Sequence, residues 1–491
     1  MAKKATARKV ASKPAAGRSA PSSPPKRAAD GTTRARIRMY RLGVGDCFLI
    51  RFPRPGNQPD LQILVDCGIH QSQPGGPDIM EKAVEDLHAE TGGKIDVVIA
   101  THEHYDHLSG FPALLEKFGK DSAGQIWAPW CQNEDDAFGK ELRTKKDRAL
   151  AALTDAHARM HLAADEDGAS QLGSILGFFG DDAGKKLKSF GESLKALSPS
   201  NIKYLEPGQP PVELIEDAVR AFVLGPPRDR KMLKLADPSK KETEQVYFDA
   251  YMGLLEQIEP ALEREPMRPF DNRFALPLDG TKALSFFQQR YWADAGEPDP
   301  AANGNNQRHG IDTGQDWRRI DSDWLGAATA LAMKLDVETN NTSLVIAFEL
   351  GPKKQGGPVL LFAADAQVGN WLSWQDVTWN FEGRTVSGPD LLKRTILYKV
   401  GHHASQNATL NKLGLELMKS LEMALVPTDA KMAKAVRWGT LPWPRLLERL
   451  DSLTQDHVVR TDEDGGGLKS LPSARISEDK LFYEIDLLAA G

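Results

Sequence analysis

Residues 94–111 read KIDVVIATHEHYDHLSGF. From Ile95 to Ala100 the run is apolar apart from Asp96, as in a strand buried on both faces. The next residues differ in kind. His102, Glu103, His104, Tyr105, Asp106 and His107 set three imidazoles and Asp106 within six residues, in a 491-residue chain that holds only 11 histidines. Imidazole and carboxylate suit Zn²⁺, and also Mn²⁺ or Fe²⁺. A loop at a strand end is free to curl, so His102 and His104 can face one ion while Asp106 and His107 face another.

Two distant pieces repeat this placement. Asp365 ends the apolar run VLLFAAD (359–365), and His402-His403 come after TILYKVG (395–401). Open α/β sheets place their ligand sites at the carboxyl ends of strands. The order around these pieces also predicts an α/β fold. IRMYRLGVGDCFLIRF (37–52) reads as strand, glycine turn, strand, and LQILVDCG (61–68) as another strand. Residues 78–91 form a helical pattern closed by Gly92-Gly93. Further strands are expected at GQIWAPW, NIKYLEPG, DAVRAFVLGPP, TSLVIAFEL, MALVPT and LFYEIDL. Helices are expected at KLGLELMKSLE (412–422) and WPRLLERLDSL (443–453). Trp371, Trp374 and Trp379 read as core residues rather than a stacking platform for bases.

Composition bounds the function classes. Hydrophobic residues make up 41% of the chain, enough for a core, and the net charge is −6. Residues 1–38 carry eleven Lys and Arg against Asp30 alone, so a basic segment precedes an acidic body. Residues 1–35 hold almost no large apolar side chains and are expected to be a disordered basic tail, available to nucleic acid. Residues 36–491 are expected to form the folded domain, with two largely helical insertions at about 131–198 and 230–335. No apolar run approaches the ~18 residues of a membrane helix. Cys47, Cys67 and Cys131 make neither a disulfide framework nor a thiolate zinc cage, so a cytoplasmic, reducing setting is expected. Oligomeric state is not readable.

H-x-H-x-D-H after a strand, then a strand-end Asp, then a strand-end His, resembles the metallo-β-lactamase superfamily. The likeness extends to the soluble β-lactamase-like domain of ComEC-type DNA-uptake proteins. Their VGQGD, LIDxG, N-x-S-L-V, LLTGD, LKVxHHGS and RxTDxDG motifs are met here by LGVGDCFLI (42–50), LVDCG (64–68), Asn341-Thr342-Ser343-Leu344-Val345, LLFAAD (360–365), LYKVGHHAS (397–405) and VVRTDEDGG (458–466). Ala364 and Ala404 replace glycines of the pattern, and WGTLPWP (438–444) replaces a GHPH-like stretch. The further metal-ligating histidine of the wider superfamily has no counterpart. His157, His161 and His309 read as surface residues.

The resemblance implies a four-layered αββα sandwich holding two divalent metal ions, zinc foremost. It implies that His102 and His104 hold one ion, that Asp106 and His107 hold the second, and that Asp365 bridges them. One of His402 and His403 would complete the second site and the other would face substrate. Asp66 would orient a ligand imidazole, and Asp46 would be a turn residue near the site. Metal-assisted hydrolysis is the implied reaction, with the spare histidine or Tyr105 protonating the leaving group. The implied substrate is a phosphodiester of DNA or RNA. Alternatives are a small ester, lactone, thioester or amide, or a non-catalytic nucleic-acid-binding or interaction protein on the same fold. The insertions are expected to roof the site.

Overall fold

The computed structural model describes residues 33–162, 166–180, 184–236, 320–436, 438–468 and 474–488. The basic segment 1–32, His309 and most of the second insertion lie outside the described residues. Seventeen strands are described. They are β1 (Thr33–Tyr40), β2 (Cys47–Phe52), β3 (Leu61–Cys67), β4 (Ile95–Ile99), β5 (Ala123–Pro129), β6 (Ile202–Leu205), β7 (Val212–Ile215), β8 (Val219–Gly225), β9 (Val345–Leu350), β10 (Val359–Phe362), β11 (Thr378–Phe381), β12 (Arg384–Ser387), β13 (Thr395–Lys399), β14 (Met423–Val426), β15 (Val458–Arg460), β16 (Ala474–Ile476) and β17 (Phe482–Leu488). One sheet has the order β16-β17-β1-β2-β3-β4-β5-β6 and the other β15-β14-β13-β10-β9-β8-β7, with β11 and β12 a separate hairpin. β3 to β6 run parallel, as do β10, β13, β14 and β15.

Alternation along each strand explains the layering. Phe48, Ile50, Val97 and Ile99 of the first sheet meet Phe348, Leu360, Phe362 and Leu397 of the second in one buried cluster between the sheets. On the outer face of the first sheet, Cys47, Leu49, Ile95 and Val98 meet helix Gly76–Thr91 and the helices of the first insertion. On the outer face of the second, Leu361 and Tyr398 meet Trp371, Trp374, Leu446 and Leu450. Every central strand is covered twice, which is why these strands read as continuous apolar runs. The result is the αββα sandwich. Trp371, Trp374 and Trp379 are core residues.

The first insertion is helical, with helices Ala137–Leu162, Glu166–Leu176 and Lys185–Ala196. The second leaves through a short helix, Arg230–Leu233, and returns through helix Ile320–Asn340. That long helix packs on the first insertion through Ala328, Ala332 and Leu335.

Two expectations need correction. Residues 412–422 do not form a helix, only a single 3₁₀ turn at Leu415–Leu417. Gly414 sits at φ −130°, ψ −100°, outside helical space, while Leu415 and Met418 are drawn into the core. Strand β7 is not among the expected strands; it is only four residues long and lies at the edge of its sheet, with Val212 and Leu214 half-buried. The first strand also begins at Thr33, before the expected boundary at 36.

The inter-sheet core should carry much of the stability. Leu360→Ala is expected to cost about 2–5 kcal/mol, since Leu360 is fully buried between the sheets. Denaturant unfolding checks this, and a loss under about 1 kcal/mol would mean that the sheets close over the gap.

Candidate metal centre

The site forms where both sheets present the carboxyl ends of their strands. In the first sheet the chain leaves β4 through Ala100 and Thr101. Thr101 donates its backbone N–H (2.8 Å) and its hydroxyl (2.6 Å) to the Asp66 carboxylate at the end of β3. A one-turn helix, Tyr105–Leu108, then turns Asp106 and His107 inward. Gly68 is required here, because a Cβ would lie 2.3 Å from the carbonyl of Asp106. Asp46 closes the same knot, its N–H donating to the Asp106 carbonyl at 3.0 Å.

In the second sheet, β10 runs through Ala364 to Asp365, whose N–H donates to Ser343 Oγ at 3.2 Å. Asn341 Oδ1 accepts from the N–H groups of Gln367 and Asn370. The N-x-S stretch is thus the clamp that fixes the loop carrying Asp365. β13 runs into His402-His403-Ala404, three successive residues with φ of 42°, 52° and 60°. Ala364 has φ 49°. Both alanines stand where the resembling pattern has glycine, and the left-handed backbone gives the reason for that glycine. Side chains held there are strained, as is common at sites where geometry matters more than local comfort.

Asp106, His107, Asp365 and His403 each bring one ligand atom within 4.8 Å of one another, all buried. His403 Nε2 lies 2.9 Å from Asp106 Oδ2 and 3.6 Å from Asp365 Oδ2, and His107 Nε2 lies 3.3 Å from Asp365 Oδ2. The opposite face of each ring is anchored. His107 Nδ1 meets Asp66 Oδ2 at 2.7 Å, and His403 Nδ1 meets the Pro427 carbonyl at 2.8 Å. Both rings therefore keep Nε2 for the centre. Beside them, His102 Nε2 and His104 Nδ1 approach to 3.1 Å. Two nitrogens on one ion, each ~2.0–2.1 Å from it, would stand about this far apart.

The electrostatics suit a cation. Burial opposes ionisation of Asp365 and Asp106, but His107 and His403 outweigh it and hold both carboxyls well below the ordinary range. Burial holds His104 down at about 3 and pushes His102 well below its usual value. Burial works against charged His107, yet Asp365, Asp106, Asp46 and Asp66 together keep its proton on. Ionised carboxylates and neutral imidazoles are what a divalent ion needs, and a proton on His107 balances charge that an ion would balance instead. His104 Nε2, Asp106 Oδ1 and His107 Nε2 are buried and make no hydrogen bond among the described residues. Buried polar atoms normally have partners, so this concentration of orphans fits a ligand set for a divalent metal.

The family model of the metallo-beta-lactamase superfamily matches residues 40–125. That span runs from the end of β1 into β5 and takes in Asp46, Asp66 and the whole His102–His107 stretch. No curated protein matches the chain. Asp365, His402 and His403 lie beyond the matched span, and the fold brings Asp365 and His403 to Asp106 and His107 within it.

The pair left open by the sequence separates in space. His403 enters the carboxylate cluster, while His402 is part-exposed beside Gln367 Nε2, Ser405 Oγ and Asn340 Nδ2 at 3.1, 2.7 and 3.3 Å. Tyr105 faces the first insertion. Successive helical residues point ~100° apart, so turning Asp106 inward sends the Tyr105 ring onto Phe190, 5.3 Å away in the first insertion. His157 and His161 sit together on helix Ala137–Leu162, rings 4.7 Å apart. Asp46 is more than a turn residue. It is buried and ion-paired with Lys399, whose ammonium also lies 3.5 Å from Asp365 Oδ1.

Lys399 was overlooked by sequence reasoning, although a lysine inside the apolar run TILYKV was the available signal. Asp336 and Asn340 were also missed, since nothing in a helical pattern marks which polar residues face a site. The first insertion walls the centre, with Phe178 and Phe179 4.9–5.5 Å from the His104 ring.

Asp66 fixes both His107 and Thr101, so Asp66→Asn is expected to weaken metal binding by about 10–100-fold. Competition against a chromophoric chelator measures it, and wild-type affinity would contradict the role.

Proposed function

We propose that the chain is a binuclear metal-dependent hydrolase of phosphodiester bonds. The observation that supports the metal reading most is the convergence of Asp106, His107, Asp365 and His403 beside the His102–His104 pair. In this reading His102 and His104 hold one ion, Asp106, His107 and His403 hold the other, and Asp365 serves both. Zinc suits this nitrogen and oxygen donor set. Divalent ions held by these residues would supply Lewis-acid chemistry, an acidified water and a polarised substrate oxygen.

The chain's own residues do the rest. Asp66 holds His107 in one tautomer through Nδ1, and the Pro427 carbonyl does the same for His403. Lys399 offsets the buried charge of Asp46 and Asp365, and both in turn keep its ammonium protonated against burial. His402 stands outside the carboxylate cluster, held by Gln367, Ser405 and Asn340, where it would face substrate.

The phosphodiester assignment is supported by the ordered ComEC-like motifs and by the basic segment at residues 1–38, which suits a polyanion. No helix among the described residues is long and apolar enough to cross a membrane. The three free, buried cysteines support a reducing, cytoplasmic setting. A second reading, hydrolysis of a small ester, lactone, thioester or amide, is favoured by one feature. A cavity of about 440 Å³ starts at His102 and Glu103 and runs beneath the first insertion over Ile126, Leu150 and Leu187.

Elemental analysis of reconstituted protein is expected to find about two divalent ions per chain, and none would end the enzyme reading. The loaded protein is expected to cleave bis-p-nitrophenyl phosphate and single-stranded DNA but not nitrocefin, and the reverse would favour the small-molecule reading. Asp365→Ala is expected to abolish hydrolysis and loosen both ions. Full activity in that variant would mean that another carboxylate bridges.

A further inference from the structure

The helix that returns from the second insertion ends at the metal centre. Helix Ile320–Asn340 is fixed on its buried side by Ala328, Ala332 and Leu335. Its last turn is tied down immediately beyond its end. Asn341 Nδ2 donates to the carbonyls of Leu233 and Leu235, and the Leu344 N–H donates to the Thr101 carbonyl at 2.9 Å, one residue before His102. On this anchored turn Asp336 and Asn340, four residues apart, share a face.

The two side chains bridge both halves of the site. Asp336 Oδ1 lies 3.7 Å from His104 Nε2. Asp336 Oδ2 accepts from Asn340 Nδ2 at 3.1 Å, and that amide also lies 3.3 Å from His402 Nε2. His104 Nε2 and Asp336 Oδ1 are both buried, and neither makes another hydrogen bond among the described residues. His104 turns Nδ1 toward His102 Nε2. If Nδ1 gives its lone pair to an ion, the proton of the neutral ring must sit on Nε2. A buried N–H then faces a buried, unsatisfied carboxylate oxygen, and a sub-ångström shift joins them.

We propose that Asp336 is a positioning residue of the metal centre, accepting the Nε2 proton of His104 and aiming its Nδ1 at the ion shared with His102, while Asn340 links the same carboxylate to His402. The proposal rests on the metal reading above. It gives the helix that returns from the second insertion a defined task, since the carboxylate comes from neither sheet. A ligating imidazole with its far nitrogen held by a carboxylate keeps one tautomer and orientation and is a stronger donor. The Asp66–His107 contact does this for the first cluster. His104 has no such partner in the sheets, and Asp336 supplies it from the helix. Through Asn340, the position of His402 becomes coupled to the same turn.

The test compares Zn²⁺ affinity by chelator competition, and the visible spectrum of the Co²⁺-loaded protein, in wild type, Asp336→Ala and Asp336→Asn. Thermal unfolding of each metal-free variant checks that it is folded. Asp336→Ala is expected to weaken one of two ions by about 10–100-fold and to alter the cobalt spectrum. Asp336→Asn keeps an oxygen that can accept the His104 proton and should fall less than about tenfold. Asp336→Ala with wild-type affinity and spectrum would overturn the proposal. Asparagine falling as far as alanine would put the carboxylate on the ion itself and would also overturn it. Wild type that takes up no metal would overturn the parent reading instead. If Asp336→Ala does not fold, Asn340→Ala replaces it as the second variant. It should leave Zn²⁺ affinity within about threefold while lowering kcat through His402 more than it raises KM. Unchanged kcat would overturn the link to His402.

Discussion

Buried negative charge is the constraint around which this molecule is arranged. Asp46, Asp66, Asp106 and Asp365 are all buried in one small volume, with Asp336 17% exposed at its edge. Carboxylates taken out of water cost several kcal/mol each unless positive charge or hydrogen bonds meet them. Among the described residues, Lys399 and the imidazoles of His107 and His403 supply the positive charge inside the cluster. Asp336 shows that the balance is incomplete. Burial, and then the neighbouring Asp106 and Asp365, push its carboxyl up to about 8. A divalent ion among these groups reverses that effect, so the charge arrangement and the ligand set ask for the same thing.

The architecture explains how such a costly cluster can exist. Each sheet is buried on both faces, so its strands are rigid, and only their ends are free to carry polar groups. The sandwich brings two sets of strand ends together, Asp66 and His102–His107 from one sheet and Asp365 and His403 from the other. Stability resides in the apolar layers, and the site draws on it. The left-handed backbone of His402, His403 and Ala404 and the close pass of Gly68 over Asp106 are held because the strands leading into them cannot move.

This division between apolar layers and polar strand ends decides how much the sequence reveals. The layered α/β fold was legible because doubly covered strands leave apolar runs, and the first ligand motif because three imidazoles crowd six residues. Asp365 was legible by its place at a strand end. The distinction between His402 and His403 was not, because it depends on backbone angles that seat one ring among carboxylates and the other beside amides. Lys399 was hidden by its partners, since only folding sets Asp46 beside it. Asp336 and Asn340 were out of reach, because their role comes from where a long insertion helix happens to end. The expected helix at 412–422 failed when tertiary packing of Leu415 and Met418 overrode local propensity.

The central claim is that the two sheets converge to hold two ions. Anomalous diffraction at the zinc edge, from crystals of zinc-loaded protein, tests it most directly. Two peaks are expected, one against His102 Nε2 and His104 Nδ1 and one among Asp106, His107 and His403, with Asp365 between them. A single peak elsewhere on the chain, or none at these six residues, would contradict the account.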